Sequence, residues 1–255
     1  MTKTTGRDAQ WLDESALPPL ITAAEQLAID EAILDEAESG LLKNQVVRTW
    51  QAAAPVVVLG SSSELLREVN CDACERLNIP VLRRPSGGAT VILGPGCVMW
   101  SVITPFQNVP PLEAIHASML DPLAAALSAA GREVIREGTS DLVVKGAGRA
   151  KKISGNALRV RRQSVLYHGT LLDEFPLELV GQLLRHPPRE PEYRHQRTHS
   201  EFLTNLLLGR EQIDKAVRNA FSADGNRTTW PQRQTQQLIA SRYGKTSWTE
   251  RLLAR

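Results

Sequence analysis

Two segments of the chain repeat their apolar residues at helical spacing. The first begins with a Thr22-Ala23-Ala24-Glu25 capping box, and its apolar positions are Ala24, Leu27, Ala28, Ala32 and Leu34. The second has an apolar side formed by Leu112, Ile115, Met119, Leu123, Ala126 and Leu127. Glycines stand where each pattern stops, at Gly40 and Gly131. The pattern therefore predicts two long helices with defined ends.

Runs rich in β-branched residues predict the strands. Two neighbouring strands are expected at 46–50 and 55–60. Further strands are expected at 80–84, 89–92, 97–103, 142–144, 152–160 and 165–172, the last three forming a meander with a turn at 146–148. Asn70 is expected to cap a short helix that runs to Leu77. Because strands and helices do not strictly alternate, we expect an α+β fold with mixed or antiparallel sheets packed with helices.

Composition changes divide the chain into three parts. We expect an N-terminal extension at 1–20, a main domain at 21–225 and a C-terminal tail at 226–255. The tail is polar and rich in glutamine, but it contains Trp230 and Trp248. Large aromatic side chains favour a tail that docks on the main domain.

Charge and composition limit the class of partner. A formal net charge of +2 argues against a nucleic-acid binder. No apolar run of membrane-spanning length is present, the first residues lack a signal-peptide core, and three cysteines argue against a disulfide framework. We therefore expect a cytoplasmic protein without a membrane partner. Two local basic clusters form either a solvated face or a docking surface for an acidic carrier, namely Arg159, Arg161 and Arg162, and Arg185, Arg189, Arg194 and Arg197.

Three short segments carry candidate chemistry. In the segment 83–88, Arg-Arg-Pro-Ser-Gly-Gly, the glycines let backbone amides approach a ligand and the arginines can pair with an anion, although a simple tight turn explains the same letters. In the strand after Ser140-Asp141-Leu142, Lys152 can stabilise negative charge during acyl transfer, or it can be an ordinary exposed lysine. Lys151 and Lys152 point to opposite faces, so at most one lies inside. His168 opens the third segment, and a lone histidine is more often structural than catalytic.

Together, these segments resemble the lipoate–protein ligase A family of the biotin/lipoate ligase and octanoyltransferase superfamily. The family pattern has an Arg-Arg-x-Ser-Gly-Gly turn, an Asp-Leu step, a Lys-Ile-Ser-Gly-x-Ala strand and a His-Gly-Thr-Leu-Leu strand. All four occur here in that order, at 83–88, 140–142, 152–157 and 168–172. The resemblance covers roughly residues 20 to 225 and implies a biotin/lipoate ligase-like catalytic domain.

The resemblance also implies roles for individual residues. Lys152 matches the active-site lysine, and Asp141 matches a polar residue near the nucleotide, where Mg²⁺ can accompany ATP although the protein alone offers no metal site. The loop that wraps the acyl chain and phosphate is matched by Arg84, Ser86, Gly87 and Gly88. The strands that line the acyl tunnel are matched by Gly155, Ala157, His168 and Gly169.

The implied reaction attaches a lipoyl or octanoyl group to a carrier lysine through an acyl adenylate. Lipoate or octanoate is the substrate, with ATP and Mg²⁺. The carrier is a lipoyl domain of the glycine cleavage H protein type or of the 2-oxoacid dehydrogenase E2 type. Family ligases also have a C-terminal accessory domain, or borrow it from a separate chain, and only about 30 residues follow the catalytic region here. Either a separate accessory chain supplies that function, the tail supplies it, or the enzyme transfers a preformed acyl group.

Some residues depart from the family pattern. Leu93 stands where the family usually has histidine, and Cys97 where ligases usually have asparagine. Neither cysteine position of the octanoyltransferases is filled, at 138–140 or at 185–189, which favours ATP-dependent activation. Cys97 is a displaced nucleophile or a buried structural thiol. Two alternatives stay open: an ATP-independent octanoyl or lipoyl transferase between carriers, and a non-catalytic relative that binds acyl carriers.

Overall fold

The structure is a computed structural model that describes residues 9–19, 21–146, 148–187 and 189–252. The strands β1–β11 are Gln10–Leu12, Val46–Gln51, Val56–Leu59, Val81–Arg83, Val91–Leu93, Cys97–Pro105, Val134–Glu137, Asp141–Val144, Lys151–Val160, Ser164–Leu172 and Gly225–Arg227. The helices α1–α9 are Ala23–Glu38, Leu65–Glu68, Cys71–Arg76, Leu112–Ala129, Glu178–Leu183, His199–Phe202, Arg210–Phe221, Gln232–Leu238 and Thr246–Thr249. Glu14–Ala16 and Glu192–Arg194 are short 3₁₀ helices, and Ile239–Tyr243 is a π-helical turn.

The strands form two sheets. The larger has eight strands in the order β11-β1-β2-β6-β10-β9-β8-β7, and the smaller has three in the order β4-β3-β5. Both are mixed, because β1 runs parallel to β2 and to β11, and β3 runs parallel to β4, whereas the other pairs are antiparallel. The α+β prediction with mixed sheets is confirmed.

The prediction that β2 and β3 are neighbouring strands is wrong. Strand β2 pairs with β6, where Trp50 faces Met99, while β3 pairs with β5 in the smaller sheet, where Val57 faces Ile92. Both strands are buried on both faces, so each finds its partners through long-range packing rather than through a hairpin. Strand β7 at the far edge of the larger sheet was not predicted either, because its residues, Val-Ile-Arg-Glu, hardly alternate.

Helix α1 lies in the interior of the protein. Its predicted capping box is present, with the Thr22 side chain accepting from the Glu25 amide and the Glu25 carboxylate accepting from the Thr22 amide. Gly40, at a φ of +76°, follows the helix as predicted. The buried residues of α1 include the polar side chains of Gln26, Asp30 and Glu31. The helix packs against β6 and β10 on the larger sheet and against α8, so these polar groups need partners inside the protein.

The second long helix and the short helix also form as predicted. Helix α4 ends before Gly131, which has a φ of +116°, and packs against α7 and β7. The side chain of Asn70 caps α3 by accepting from the Ala73 amide. The first turn of the meander was predicted at 146–148, but Ala147 lies outside the described residues.

The segments near both ends of the chain are joined to the main domain. Strand β1 falls within the predicted extension 1–20, and it lies between β2 and β11 in the larger sheet. Helix α8, the π-helical turn and α9 pack on α1 and β4. Residues 1–8, 20 and 253–255 lie outside the described part, and the three-part division of the chain stays a prediction. Within the described ranges, no helix has both the length and the apolar character needed to cross a membrane.

Candidate active site

A cavity of about 420 Å³ lies where the two sheets meet. Strands β3, β5 and β6 contribute apolar side chains to its wall, and β9, β10 and the segment 189–203 contribute most of the polar ones. The apolar lining includes Leu27, Val58, Ile92, Leu93, Met99, Leu172, Phe175, Val180 and Leu184. An apolar cavity with a few convergent polar groups is typical of a site for a small, largely hydrocarbon ligand.

Most of the site residues predicted from the sequence meet at this cavity. Eight of them line it: Arg84, Gly88, Asp141, Lys152, Gly155, Ala157, His168 and Gly169. Ser86 and Gly87 do not line the wall but bond to Arg84. Cys97 does not line it either. The motifs are far apart in the sequence, and the antiparallel pairing of β8, β9 and β10 brings three of them side by side.

Lys152 reaches the cavity from strand β9. Its Nζ lies 2.8 Å from Oδ1 of Asp141, and Oδ2 of Asp141 accepts a hydrogen bond of 2.7 Å from the hydroxyl of Tyr193. Lys151 is exposed on the other face of the strand, which agrees with the expectation that at most one of the two lysines lies inside. The ammonium is therefore held at the cavity wall by a carboxylate that is itself held by a tyrosine.

Gly155 provides the space that the lysine occupies. A Cβ at this position would lie 3.2 Å from both Cε and Nζ of Lys152. The end of the lysine side chain thus lies back along its own strand, over the backbone of Gly155. Only glycine permits this contact without moving the ammonium.

The aromatic ring of Phe202 lies close to three cationic side chains. Nζ of Lys152 lies 5.9 Å from the ring centroid, and the guanidinium carbons of Arg194 and Arg197 lie 4.8 Å and 5.1 Å from it. Arg194 is buried, and Arg197 donates to the carbonyls of Ala150, Tyr193 and Arg194. The expectation of a solvated face or a carrier-docking surface is therefore wrong for the buried Arg194. For the half-buried Arg197, the docking surface stays a prediction.

Arg84 shapes the glycine turn from inside. Its Nη2 donates to the carbonyls of Gly87 and Ala89, at 2.6 Å and 2.9 Å, and its Nε donates to the hydroxyl of Ser86. Burial lowers the pKa of Arg84 to about 10. Gly88 has a φ of +85°, in the left-handed region that favours glycine. The prediction that Arg84 pairs with an anion is not met in this structure, because its guanidinium N–H groups donate to carbonyl oxygens of the turn.

A buried polar chain connects this turn with helix α1. The Ser86 hydroxyl lies 2.6 Å from Nε2 of His168, and Nδ1 of His168 lies 3.8 Å from Oδ2 of Asp30. Asp30 in turn pairs with Arg48 at 2.9 Å. The carboxylate favours the histidine tautomer with its proton on Nδ1, so that Nε2 accepts from Ser86. Burial lowers the pKa of His168 although Asp30 opposes this effect, so the ring is neutral at pH 7.

The negative charge of Asp30 in this group of buried polar side chains is balanced by Arg48. Burial would raise the pKa of Asp30, but Arg48 and His168 together hold it below its ordinary value. Serine, histidine and aspartate in this order resemble a nucleophilic triad. Ser86, however, is only 1% exposed and does not line the cavity. Its hydroxyl therefore supports the turn instead of attacking a ligand.

Residues 22–222 of this chain match the family model of the lipoyl protein ligase A/B catalytic domain. The chain belongs to this family. The family predicted from the four motifs is therefore confirmed.

Solved structures of lipoate ligases have the same fold. A bipartite lipoate protein ligase from Thermoplasma acidophilum, studied with its E2 lipoyl domain, has a TM-score of 0.83 at 20% identity, over 98% of this chain and 99% of that one. A putative lipoate protein ligase from T. acidophilum with bound lipoic acid has a TM-score of 0.80 at 20% identity, over 96% and 100%. A lipoate-protein ligase A bound with ATP has a TM-score of 0.77 at 20% identity, also over 96% and 100%.

The departures from the family pattern lie in different places. Leu93 is buried and lines the cavity, where it adds apolar surface. Cys97 is completely buried, and burial raises its pKa to about 12. A nucleophilic cysteine needs both access and a thiolate. The position of Cys97 supports a structural thiol of the core and not a nucleophile.

Both carboxylate oxygens of Asp141 have a protein partner. One of its oxygens lies against the Lys152 ammonium and the other accepts from Tyr193. Across the described ranges, no group of three or more His, Cys, Asp or Glu side chains is placed to hold a metal ion. The expectation that Mg²⁺ accompanies ATP beside Asp141 stays a prediction.

Sequence reasoning missed several residues that support the site. Asp30 faces His168 and pairs with Arg48, and both residues of this pair are buried. At the cavity wall, the ring of Phe202 lies against the cations, and Tyr193 donates to Asp141. The sequence does contain an indication of the Asp30–Arg48 pair. A carboxylate inside the apolar run of α1 and an arginine inside a β-branched strand both indicate buried charges that need partners.

Proposed function

We propose that this protein is a lipoate–protein ligase that attaches a lipoyl or octanoyl group to a lysine of a carrier protein through an acyl adenylate. The observation that carries the proposal is Lys152, whose ammonium borders a largely apolar cavity of about 420 Å³. Family membership over residues 22–222 supports the same reaction. ATP and lipoate appear as ligands of two proteins with this fold.

The hydrocarbon part of the substrate binds to the apolar wall. Leu27, Met99 and Leu172 come from three different elements and face one cavity, so an extended chain is surrounded on several sides. Gly155, Ala157 and Gly169 keep the strand surface low next to this wall. The acid group of the substrate lies beside Lys152, the cation that borders this space from β9.

Lys152 stabilises charge in both chemical steps. In the first step, a carboxylate oxygen of the substrate bonds to the α-phosphorus of ATP and pyrophosphate leaves. In the second step, the amine of the carrier lysine bonds to the acyl carbon, the bond between that carbon and the AMP oxygen breaks, and the amine proton is released. Each transition state concentrates negative charge on oxygens, which a fixed ammonium stabilises. Asp141 holds the ammonium at the cavity wall, where it can face these oxygens.

The other two hypotheses have less support. A transferase that works through a thioester needs an accessible cysteine, and Cys97 is buried. A non-catalytic relative has no need for a lysine held by Asp141 and Tyr193 at the cavity wall. A lipoyl domain as the carrier, a separate accessory chain and a cytoplasmic location stay predictions. The lipoyl domain is supported by the T. acidophilum ligase, which was studied with its own E2 lipoyl domain.

The test measures the intact mass of an apo lipoyl domain after incubation with the purified protein. One sample contains lipoate and ATP with Mg²⁺, a second contains octanoyl-acyl carrier protein without ATP, and a third contains synthetic lipoyl-AMP. We expect modification in the first and third samples. Lys152→Ala should abolish it in both, whereas Lys151→Ala, the matched change on the opposite face, should leave it intact.

Other results identify the alternatives. Modification only in the second sample would establish the transferase. Modification only in the third would indicate that adenylate formation needs an accessory chain. The absence of modification in all three samples would overturn the proposal and leave a non-catalytic relative.

A further inference from the structure

The C-terminal segment 231–252 contacts the protein on the side of the glycine turn that faces away from the cavity. It is anchored on α1, where the Tyr243 hydroxyl donates to Glu31 at 2.7 Å and Arg242 pairs with the same carboxylate. Glu31 and Tyr243 are buried, so this anchor is shielded from water. The segment then continues to α9, which packs on strand β4 directly before the glycine turn.

Arg83 links this segment to the rest of the site. Its guanidinium is completely buried and donates to three carbonyls, those of Gly60 and Ser63 at 2.7 Å and that of Thr249 at 2.9 Å. In return, Nε1 of Trp248 donates to the Arg83 carbonyl at 2.9 Å. A buried cation that bonds only to backbone oxygens is an expensive way to gain stability. Its contribution is to position the backbone, since it ties the loop at 60–63 and Thr249 to strand β4.

Two connections lead from the segment to the glycine turn. Along the chain, Arg83 is followed by Arg84, which donates to the carbonyls of Gly87 and Ala89. Through space, Nη2 of Arg251 donates to the Ser61 carbonyl at 2.5 Å, and the Ser61 amide donates to the Ser86 carbonyl at 2.8 Å. The turn therefore has supports from the C-terminal segment at its beginning and at its middle.

We propose that Trp248, Arg83 and Arg251 are positioning residues, through which the C-terminal segment fixes the glycine turn and so sets the affinity for the acyl substrate. This inference rests on the proposed function, because it takes the cavity beside the turn as the acyl site. The residues act on binding, because the segment touches the turn and has no residue in the cavity wall beside Lys152. The segment is thus a part of the acyl site that is built from outside the cavity.

The test compares Trp248→Phe with Trp230→Phe. The first change removes the N–H that bonds to Arg83 but keeps a ring for Arg242 and Arg251 to stack on. The second is a matched change in the same part of the chain, at a ring that packs on the apolar cluster around Leu12 and Ile33. For Trp248→Phe we expect lipoate to bind about fivefold to tenfold more weakly in calorimetry. KM for lipoate should rise while kcat stays unchanged, and the amides of 84–90 should exchange hydrogen faster.

Arg251→Gln provides a second variant that leaves the core intact, and it should change binding and exchange in the same direction. Unchanged lipoate affinity and unchanged exchange in both variants would overturn the inference while leaving the ligase proposal in place. If the wild-type protein does not bind lipoate, the proposed function fails. Hydrogen exchange at 84–90 then decides by itself whether the segment positions the turn.

Discussion

The ammonium of Lys152 lies 2.8 Å from the carboxylate of Asp141, in the wall of the cavity that the protein offers to its substrate. The pair is only partly shielded, since the lysine side chain is 23% exposed and the aspartate side chain 12%. An ion pair of this kind contributes little to folding, about 1 kcal/mol or less. Its main effect is therefore on where the ammonium points.

Asp141→Asn should slow acyl transfer without unfolding the protein. The amide keeps the shape but no longer attracts the ammonium, so we expect transfer from lipoyl-AMP to slow by about tenfold. The free energy of unfolding should fall by about 1 kcal/mol or less. Single-turnover kinetics and chemical denaturation measure the two effects. Asp224→Asn, on an exposed residue, is the control, and an unchanged transfer rate in Asp141→Asn would show that Lys152 needs no orienting carboxylate.

Gly155→Ala should displace the lysine while leaving the strand in place. The added methyl group would lie 3.2 Å from Cε and Nζ of Lys152. A contact at this distance makes the end of the lysine move by a few tenths of an ångström. Because a misplacement of about 1 Å can lower the rate by about 100-fold, we expect this smaller shift to lower the transfer rate by about tenfold or less. Gly181→Ala is the control, because no atom lies within 4 Å of its added methyl group. Equal activity of both variants would contradict the close contact between Gly155 and the lysine.

Asp30→Asn should strongly destabilise the fold. It removes the charged partner of Arg48, whose side chain is 0% exposed, and a buried charge left alone costs about 3–5 kcal/mol. In contrast, Asp214→Asn breaks a pair with Arg210 that is about one third exposed, and it should cost about 1 kcal/mol or less. Urea denaturation of both variants measures the difference. Similar losses would mean that water reaches the Asp30–Arg48 pair.

Stability should fall as the pH drops below 6.5. Burial lowers the pKa of His168 from an ordinary value of 6.5, so the unfolded chain takes up a proton in this range that the folded chain does not. The contribution is complete above pH 6.5, and it is lost on acidification at up to about 1.4 kcal/mol per pH unit. Burial also lowers the pKa of His116 and His199, so these residues add to the slope.

The contribution of His168 is separated by mutation. Denaturation of His168→Gln between pH 7.5 and 5.5 should show a shallower dependence on pH than the wild type, even if the variant is less stable at every pH. His186→Gln changes a half-exposed histidine and serves as the control. A slope for His168→Gln equal to that of the wild type would mean that the ring takes up its proton as readily in the folded state as in the unfolded state.

Local patterns in the sequence predicted much of the fold. The capping box at Thr22, the Asn70 cap and the glycines at 40 and 131 depend only on neighbouring residues, and the structure contains all four. The pairing of β2 and β3 failed, because two strands buried on both faces give no alternation that identifies their partners. Strand order is decided by packing over the whole chain, which a local window does not contain.

The candidate site shows the same division. The four motifs indicated the residues of the cavity wall, because each motif keeps its order and spacing in the sequence. The supporting residues are single letters without a motif, such as Asp30, Tyr193 and Phe202. Their role follows only from tertiary contacts, in which an aromatic ring meets three cations or a carboxylate meets a buried guanidinium. The prediction of a solvated or docking role failed for Arg194 for this reason.

The position of strand β1 affects how the protein folds during its synthesis on the ribosome. It is held between β2 and β11, with Gln10 opposite both Val46 and Gly225, so one of its edges has no partner until a strand about 200 residues further along the chain is synthesised. Until then a nascent chain carries an open strand edge, which is a template for pairing with other chains. Contacts between such distant residues also slow folding. Expression should therefore benefit from chaperones that bind the nascent chain before residue 227 has left the exit tunnel.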